Sequence, residues 1–305
     1  MKLPSVSGAA VGPLAGFLAF LFWGGLVLFW KQLEGVPPFE ILCYRILYSL
    51  VFIIPVIWLA GRWNEVKEVM RVRRTLLTLA LSSATVGLNW FLYIWAISQN
   101  MVLETSLGYY INPLVNVLLG FLFLRERPTR LQTVAILLAC AGVGWSVINH
   151  GYFPWLAFGL AISFGVYGLL RKTVRVESLP GLFWETLFLT PLAAGWVLLL
   201  AAGGEGFLVH PTLSVGILLF LAGPVTSIPL ILFAFAARHM RLMTLGLMQY
   251  VSPTGTFLIG VFILHEPLHG ETLVTFCFIW VALLIYTLES LRLARMATRG
   301  QGPKE

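Results

Sequence analysis

The chain holds 305 residues, 59% of them hydrophobic and only 11% charged, with a formal net charge of +7. A soluble domain carries about 25% charged residues, and a soluble fold of this length has no room to hide so much apolar surface, so the composition points to a membrane protein. The basic excess would suit nucleic acid only if it were gathered on one soluble face. It is scattered through short joints instead, which sets a nucleic-acid partner aside, and the lack of any Asp removes an aspartyl phosphate, a Walker-B acid and an EF-hand loop together.

In chain order, ten apolar runs of bilayer length can be marked: 12–31, 40–60, 75–97, 104–124, 130–149, 153–170, 181–201, 213–236, 243–264 and 270–291. Crossing a hydrocarbon core takes about 20 helical residues, and an open strand could not satisfy its backbone in lipid. The expected fold is an all-α polytopic membrane protein with ten transmembrane helices. Lys2 is the only charged side chain before the first run, which is too long for a signal-peptide core and lacks an A-x-A site after it, so it reads as a retained span. Cys43, Cys140 and Cys277 lie within apolar runs without CxxC spacing and read as small core residues, not as disulfides or metal ligands. No metal or cofactor is expected.

Orientation follows from Lys and Arg. The joints after spans two, four, six and eight hold Arg62, Lys67, Arg71, Arg73 and Arg74; Arg125, Arg127 and Arg130; Arg171, Lys172 and Arg175; and Arg238 and Arg241. The tail adds Arg292, Arg295, Arg299 and Lys304, while the opposite side has only Lys31. Positive charge marks the cytoplasmic side, so both termini are expected there.

The stretch 107–126, LGYYINPLVNVLLGFLFLRE, returns at 247–266 as LMQYVSPTGTFLIGVFILHE. Shifted by 140 positions, Leu107, Tyr110, Pro113, Leu118, Gly120, Leu124 and Glu126 meet identical residues. Such self-similarity marks two copies of one unit, here 12–149 and 153–291, each of five spans. Five is odd, so the second copy enters from the opposite side. An inverted repeat of this kind builds many secondary transporters, with the solute site near the midplane between halves.

A polar stripe runs along span four through Thr105, Tyr109, Asn112 and Asn116, answered on span nine by Gln249, Ser252 and Thr256. Pro113 and Pro253 each free a carbonyl one turn earlier. These faces are expected to line a polar cavity, with Asn89 and Tyr93 of span three beside them, where interhelical glue is the plainer alternative. Amide and aromatic groups together suit a small amphipathic solute, although any single Trp more often serves interface or packing.

Arg45 and Glu185 stand inside spans two and seven, again 140 positions apart. Intramembrane charges are rare and default to functional hypotheses; snorkelling to headgroups is the alternative. A direct pair between them fails, since their depths differ by roughly 15–20 Å at 1.5 Å per residue. Glu104 is the expected partner of Arg45, and Arg171 or Lys172 that of Glu185. For a proton-coupled cycle, Glu185 and Glu104 are the candidate carriers. The HExxH string at His265–His269 resembles a zinc-protease signature, but Pro267 breaks the helix such chemistry needs, so it reads as an external turn.

The segments EILCYR (40–45), NWFLYIWA (89–96), LETSLGYYINPLVNVLLG (103–120), YGLLRK (167–172), QYVSPT (249–254) and TFCFIWVAL (275–283) closely resemble the EamA family of the drug/metabolite transporter superfamily. The resemblance covers nearly the whole chain. It implies ten helices in two EamA-type repeats, a bacterial inner-membrane location and transport, with names that often refer to chloramphenicol sensitivity. It attaches no role to Arg45, Asn89, Asn112 or Gln249.

The expected function is a secondary active transporter, an exporter of small amphipathic metabolites or drugs that works by alternating access. With no P-loop, its drive would be a proton or solute gradient. A passive channel and a non-transporting membrane protein are the alternatives, and no catalytic cluster suggests an enzyme.

Overall fold

The computed structural model describes residues 8–99, 101–149, 153–265 and 270–298. They form α1 (Gly8–Gly25), α2 (Val27–Lys31), α3 (Pro38–Leu59), α4 (Trp63–Arg71), α5 (Arg73–Ser98), α6 (Val102–Leu124), α7 (Arg130–Asn149), α8 (Trp155–Thr173), α9 (Ser178–Ala202), α10 (Leu213–His239), α11 (Leu242–Met248), α12 (Val251–Phe262) and α13 (Gly270–Thr298). The protein is an all-helical polytopic membrane protein.

Among the described residues, nine helical segments are long and apolar enough to cross a bilayer. Two of these are interrupted, α1 with α2 and α11 with α12. The run at 153–170 forms α8, which falls outside those nine because Arg171 and Lys172 close its 19 residues. Apolar side chains such as Leu14, Phe17, Leu192, Leu198 and Leu213 point outward, as a lipid-facing surface requires.

The break between α11 and α12 has a local cause. Pro253 has no N–H to give the Gln249 carbonyl. The Ser252 N–H takes that carbonyl instead at 3.0 Å, which tightens the turn. Pro113 sits inside α6 without breaking it, so equivalent prolines have unequal effects. The basic joint after α3 is itself helical. In α4, Val66 and Val69 are buried and the charged residues face away, with Arg62 and Glu65 paired at its start.

Packing runs in a closed circuit: α1 against α10 and α12, α10 against α3, α3 against α9, α9 against α5, α5 against α8, α8 against α6, and α6 against α11, with α7 paired to α13. Replacing each span by the one five later turns α6–α8 into α12–α1, α1–α10 into α8–α5, and α3–α10 into α9–α5. The backbone shows the same period. The two non-glycine residues with positive φ among the described residues are Arg125 (54°) and His265 (55°), 140 positions apart. Glu266 to His269 lie outside the described residues, so the turn expected there has no structural description.

An aromatic core of Phe20, Trp23, Phe164, Tyr167 and Phe233 ties α1, α8 and α10 together, with ring centroids 5.2–6.0 Å apart. Where α3 crosses α10, Gly223 lies so close to the Tyr48 backbone that a Cβ would collide with it; the Ser49 hydroxyl donates to the Gly223 carbonyl at 3.2 Å across the same crossing. Small residues at such crossings let helix backbones approach in lipid. Of the three cysteines only Cys43 is in the core. Cys140 and Cys277 are exposed, which corrects the reading of all three as core residues: an apolar run in a membrane protein has a lipid face as well as a packed one.

Candidate functional site

The polar residues of α6 meet those of α11 directly. The Asn116 side-chain N–H2 donates to the Asn112 Oδ1 at 3.2 Å and to the Gln249 Oε1 at 2.5 Å, with all three residues buried. Asn112 and Asn116 are four residues apart and therefore stacked on one helix face. Gln249 reaches them because Gly246, one turn before it, lets α11 close onto α6: a Cβ there would stand 2.7 Å from the Asn116 Cβ and 2.9 Å from the Pro113 carbonyl. The Tyr250 hydroxyl donates to the Tyr110 carbonyl at 3.0 Å, joining two residues that the 140-residue shift makes equivalent. The Asn116 Oδ1 is enclosed without a protein donor.

The rest of the stripe disperses. Tyr109 turns to Tyr93 of α5, ring centroids 6.1 Å apart, and keeps 49% of its surface accessible. The Asn89 amide donates to the Leu160 carbonyl at 2.9 Å and the Ser163 hydroxyl at 3.1 Å, binding α5 to α8. The Thr256 hydroxyl donates to the Gly24 carbonyl at 3.2 Å, and the Ser252 carbonyl lies against Gly24 at the same crossing of α12 and α1. Thr105 is buried. Asn89 and Thr256 thus hold helices together, the plainer of the two roles their spacing allowed.

Glu185 of α9 is fully enclosed. Its carboxylate accepts from the Ser82 hydroxyl of α5 at 2.5 Å and from the Tyr167 hydroxyl of α8 at 3.4 Å, and it lies 3.5 Å from the Arg171 guanidinium. The Ser83 hydroxyl donates to the Glu185 backbone carbonyl at 2.8 Å. Of the two expected partners Arg171 is the one engaged. Its side chain lies against Gly181, where a Cβ would collide with the guanidinium. Lys172 instead donates to the Met240 and Ala237 carbonyls at 2.6 and 3.3 Å. Sequence pattern alone did not single out Tyr167; the nearest signal was its place in the YGLLRK segment.

Arg45 of α3 has different company from that expected. Its guanidinium stands 4.3 Å from the Trp90 ring centre and 5.6 Å from that of Trp30. Glu104 is engaged elsewhere: its Oε2 accepts the Leu156 N–H at 3.1 Å and so caps the start of α8. The correction follows from a stronger claim on the carboxylate, since the first N–H groups of a helix lack internal acceptors and attract negative charge. Glu126 does the same for α11, accepting the Leu242 and Met243 N–H groups at 2.8 Å each. Glu40 accepts the Phe207 N–H. Three glutamates at span ends thus serve backbone donors of a following segment. Arg45 and Glu185 are also kept apart. Glu185 meets α5 at Ser82 and Arg45 meets it at Trp90, about 12 Å further along a helix rising 1.5 Å per residue.

The EamA-like transporter family model matches residues 10–148. Over 280 residues the chain is 41% identical to a protein of Salmonella typhi named "Protein RarD", spanning 92% of this chain and 95% of that one. It is 42% identical over 287 residues to the "Uncharacterized transporter YojE" of Bacillus subtilis, covering 91% and 94%, and 30% identical over 290 residues to the "Chloramphenicol-sensitive protein RarD" of Pseudomonas aeruginosa, covering 94% and 95%. One crystal structure shares the fold with a TM-score of 0.72 at 19% identity, covering 93% of this chain and 99% of that one. With relatives at this identity over nine-tenths of its length, the chain belongs to the EamA-like transporter family, in its RarD-like branch, as a multi-pass transporter of the bacterial inner membrane.

Proposed function

We propose that the protein is a secondary active exporter of small amphipathic metabolites or drugs, built from two inverted five-helix repeats, 12–149 and 153–291, with ten spans and both termini cytoplasmic. The observation that carries this reading is the buried amide cluster of Asn112, Asn116 and Gln249, which spans the seam between α6 of one half and the broken α11–α12 span of the other. The exchange symmetry of the helix packing and the matched backbone at Arg125 and His265 support the repeat. In an inverted pair, alternating access rocks one half against the other around a site at their junction. Asn112, Asn116 and Gln249 would meet the solute there, with Tyr93 and Tyr109 as walls. Ser252 lies one turn beyond Gln249, while Asn89 and Thr256 anchor the flanking helices.

Coupling falls to Glu185. Enclosed between Ser82, Tyr167 and Arg171, it can exchange a proton only when α5, α8 and α9 part, which ties its protonation to the conformational cycle. Glu104, as the cap of α8, would act through helix position, and Arg45 through the solute itself.

A metabolite survey of cells with and without the protein identifies the solute, and flux in proteoliposomes then tests the site. Asn112→Leu and Gln249→Leu are expected to insert normally and to lose transport. Wild-type flux in both would overturn the cavity reading.

A further inference from the structure

Arg45 differs from every other interior charge described above. Glu185 lies against Arg171, Glu126 and Glu104 cap helices, and Glu40 holds a loop N–H. Arg45 alone has no carboxylate within 4 Å among the described residues and touches aromatic faces instead. Its Nε is enclosed without an acceptor. It lies seven residues into α3, about 10 Å from the helix start. It is partly buried and packs over Trp90 on α5, which holds the guanidinium against a neighbouring helix.

Around it stand Trp30, Trp90, Tyr93 and Tyr109. The two tyrosine rings lie near it, their centroids 6.1 Å apart, and Tyr109 keeps about half of its surface accessible. Ring contacts return only part of the solvation that a guanidinium loses in an apolar interior. A guanidinium fork with this deficit is a receptor for a planar anion, which it can grip through two parallel hydrogen bonds. The four rings supply apolar and aromatic walls for whatever the anion is attached to.

We infer that the solute carries a carboxylate, received by Arg45 between Trp30 and Trp90, with an apolar body lying along Tyr93 and Tyr109. This rests on the transport reading above and narrows it from amphipathic solutes to amphipathic anions. The same chemistry is offered by an anionic lipid headgroup, and the test separates the two sources.

The full chain in phosphatidylcholine nanodiscs is titrated with acetate, phenylacetate and octanoate and with their primary amides. At least one carboxylate is expected to bind about tenfold or more tightly than its amide, as for a charge pair sheltered from water. Arg45→Gln is expected to abolish that preference. If Arg45→Gln does not fold, Arg45→Lys decides in its place, since it keeps the charge but loses the planar fork; unchanged carboxylate affinity in that variant overturns the assignment. So does equal binding of acid and amide by the wild type, or binding of neither. Repeating the titration with phosphatidylglycerol present distinguishes the source: competition identifies a headgroup, its absence a soluble anion, and both keep Arg45 as the receptor. Flux of a neutral solute without carboxylate preference sinks this inference and leaves transport standing. Carboxylate binding without flux of any solute does the reverse.

Discussion

Arg45 and Glu185 lie 140 positions apart in the chain, yet their surroundings have little in common. One carboxylate has a guanidinium, a phenol and a hydroxyl around it; one guanidinium lies over indole faces. The enclosed pair makes a sharp prediction. Removing Arg171 alone leaves an uncompensated buried carboxylate, so Arg171→Met should cost about 3–5 kcal/mol. Removing both charges with Arg171→Met and Glu185→Gln should restore much of that loss, as thermal unfolding of the three variants would show. Additive losses would mean that the two groups do not interact. Glu185→Gln alone should flatten the pH dependence of transport, because it removes the carboxylate enclosed between α5, α8 and α9. A pH profile like that of the wild type would remove Glu185 as the coupling group.

Among helices, the most telling contact is Glu126 on α11. That helix has seven residues, too few to stand alone, and its first turn depends on an acceptor from the other half of the chain. Losing two charge-assisted bonds to backbone N–H groups costs about 1–2 kcal/mol. Glu126→Ala should therefore lower the unfolding midpoint, with Glu126→Gln in between, since an amide oxygen still accepts. The effect should extend to function, because α11 carries Gly246, which brings Gln249 to Asn116. An unchanged midpoint in Glu126→Ala would show that α11 needs no cap. The unequal prolines belong at this scale too. Pro253 lies just past the interruption of its span, while Pro113 sits within a continuous α6.

For the whole molecule, the exchange symmetry of the packing predicts the membrane topology. In a chain whose native cysteines are replaced by Ala, Lys31→Cys and Glu205→Cys should react with an impermeant maleimide added to intact cells. Lys67→Cys and Arg175→Cys should react only after permeabilisation. The opposite pattern would reverse the orientation drawn from basic residues, and a mixed pattern would break the ten-span count at the joint that deviates.

The membrane class, the all-helical apolar segments and the family were legible in the one-dimensional pattern. Lipid leaves a backbone so few options that composition and run length decide the class of structure. Helical spacing also named the amide residues that meet at the α6–α11 seam. Partnership across helices was not legible, because it depends on how each helix is rotated and tilted against neighbours that spacing along one helix cannot register. Glu104 was matched to Arg45 by depth alone, and the fold gave it to the Leu156 N–H of α8. Asn89 shared a face with Tyr93, but α8 lies close enough to claim it. Tyr167 carried no signal until α8 was laid against α9. Above all, the aromatic surroundings of Arg45 assemble from α2, α5 and α6, and only the tertiary structure shows that this interior charge lies over indole rings, with no carboxylate within 4 Å among the described residues.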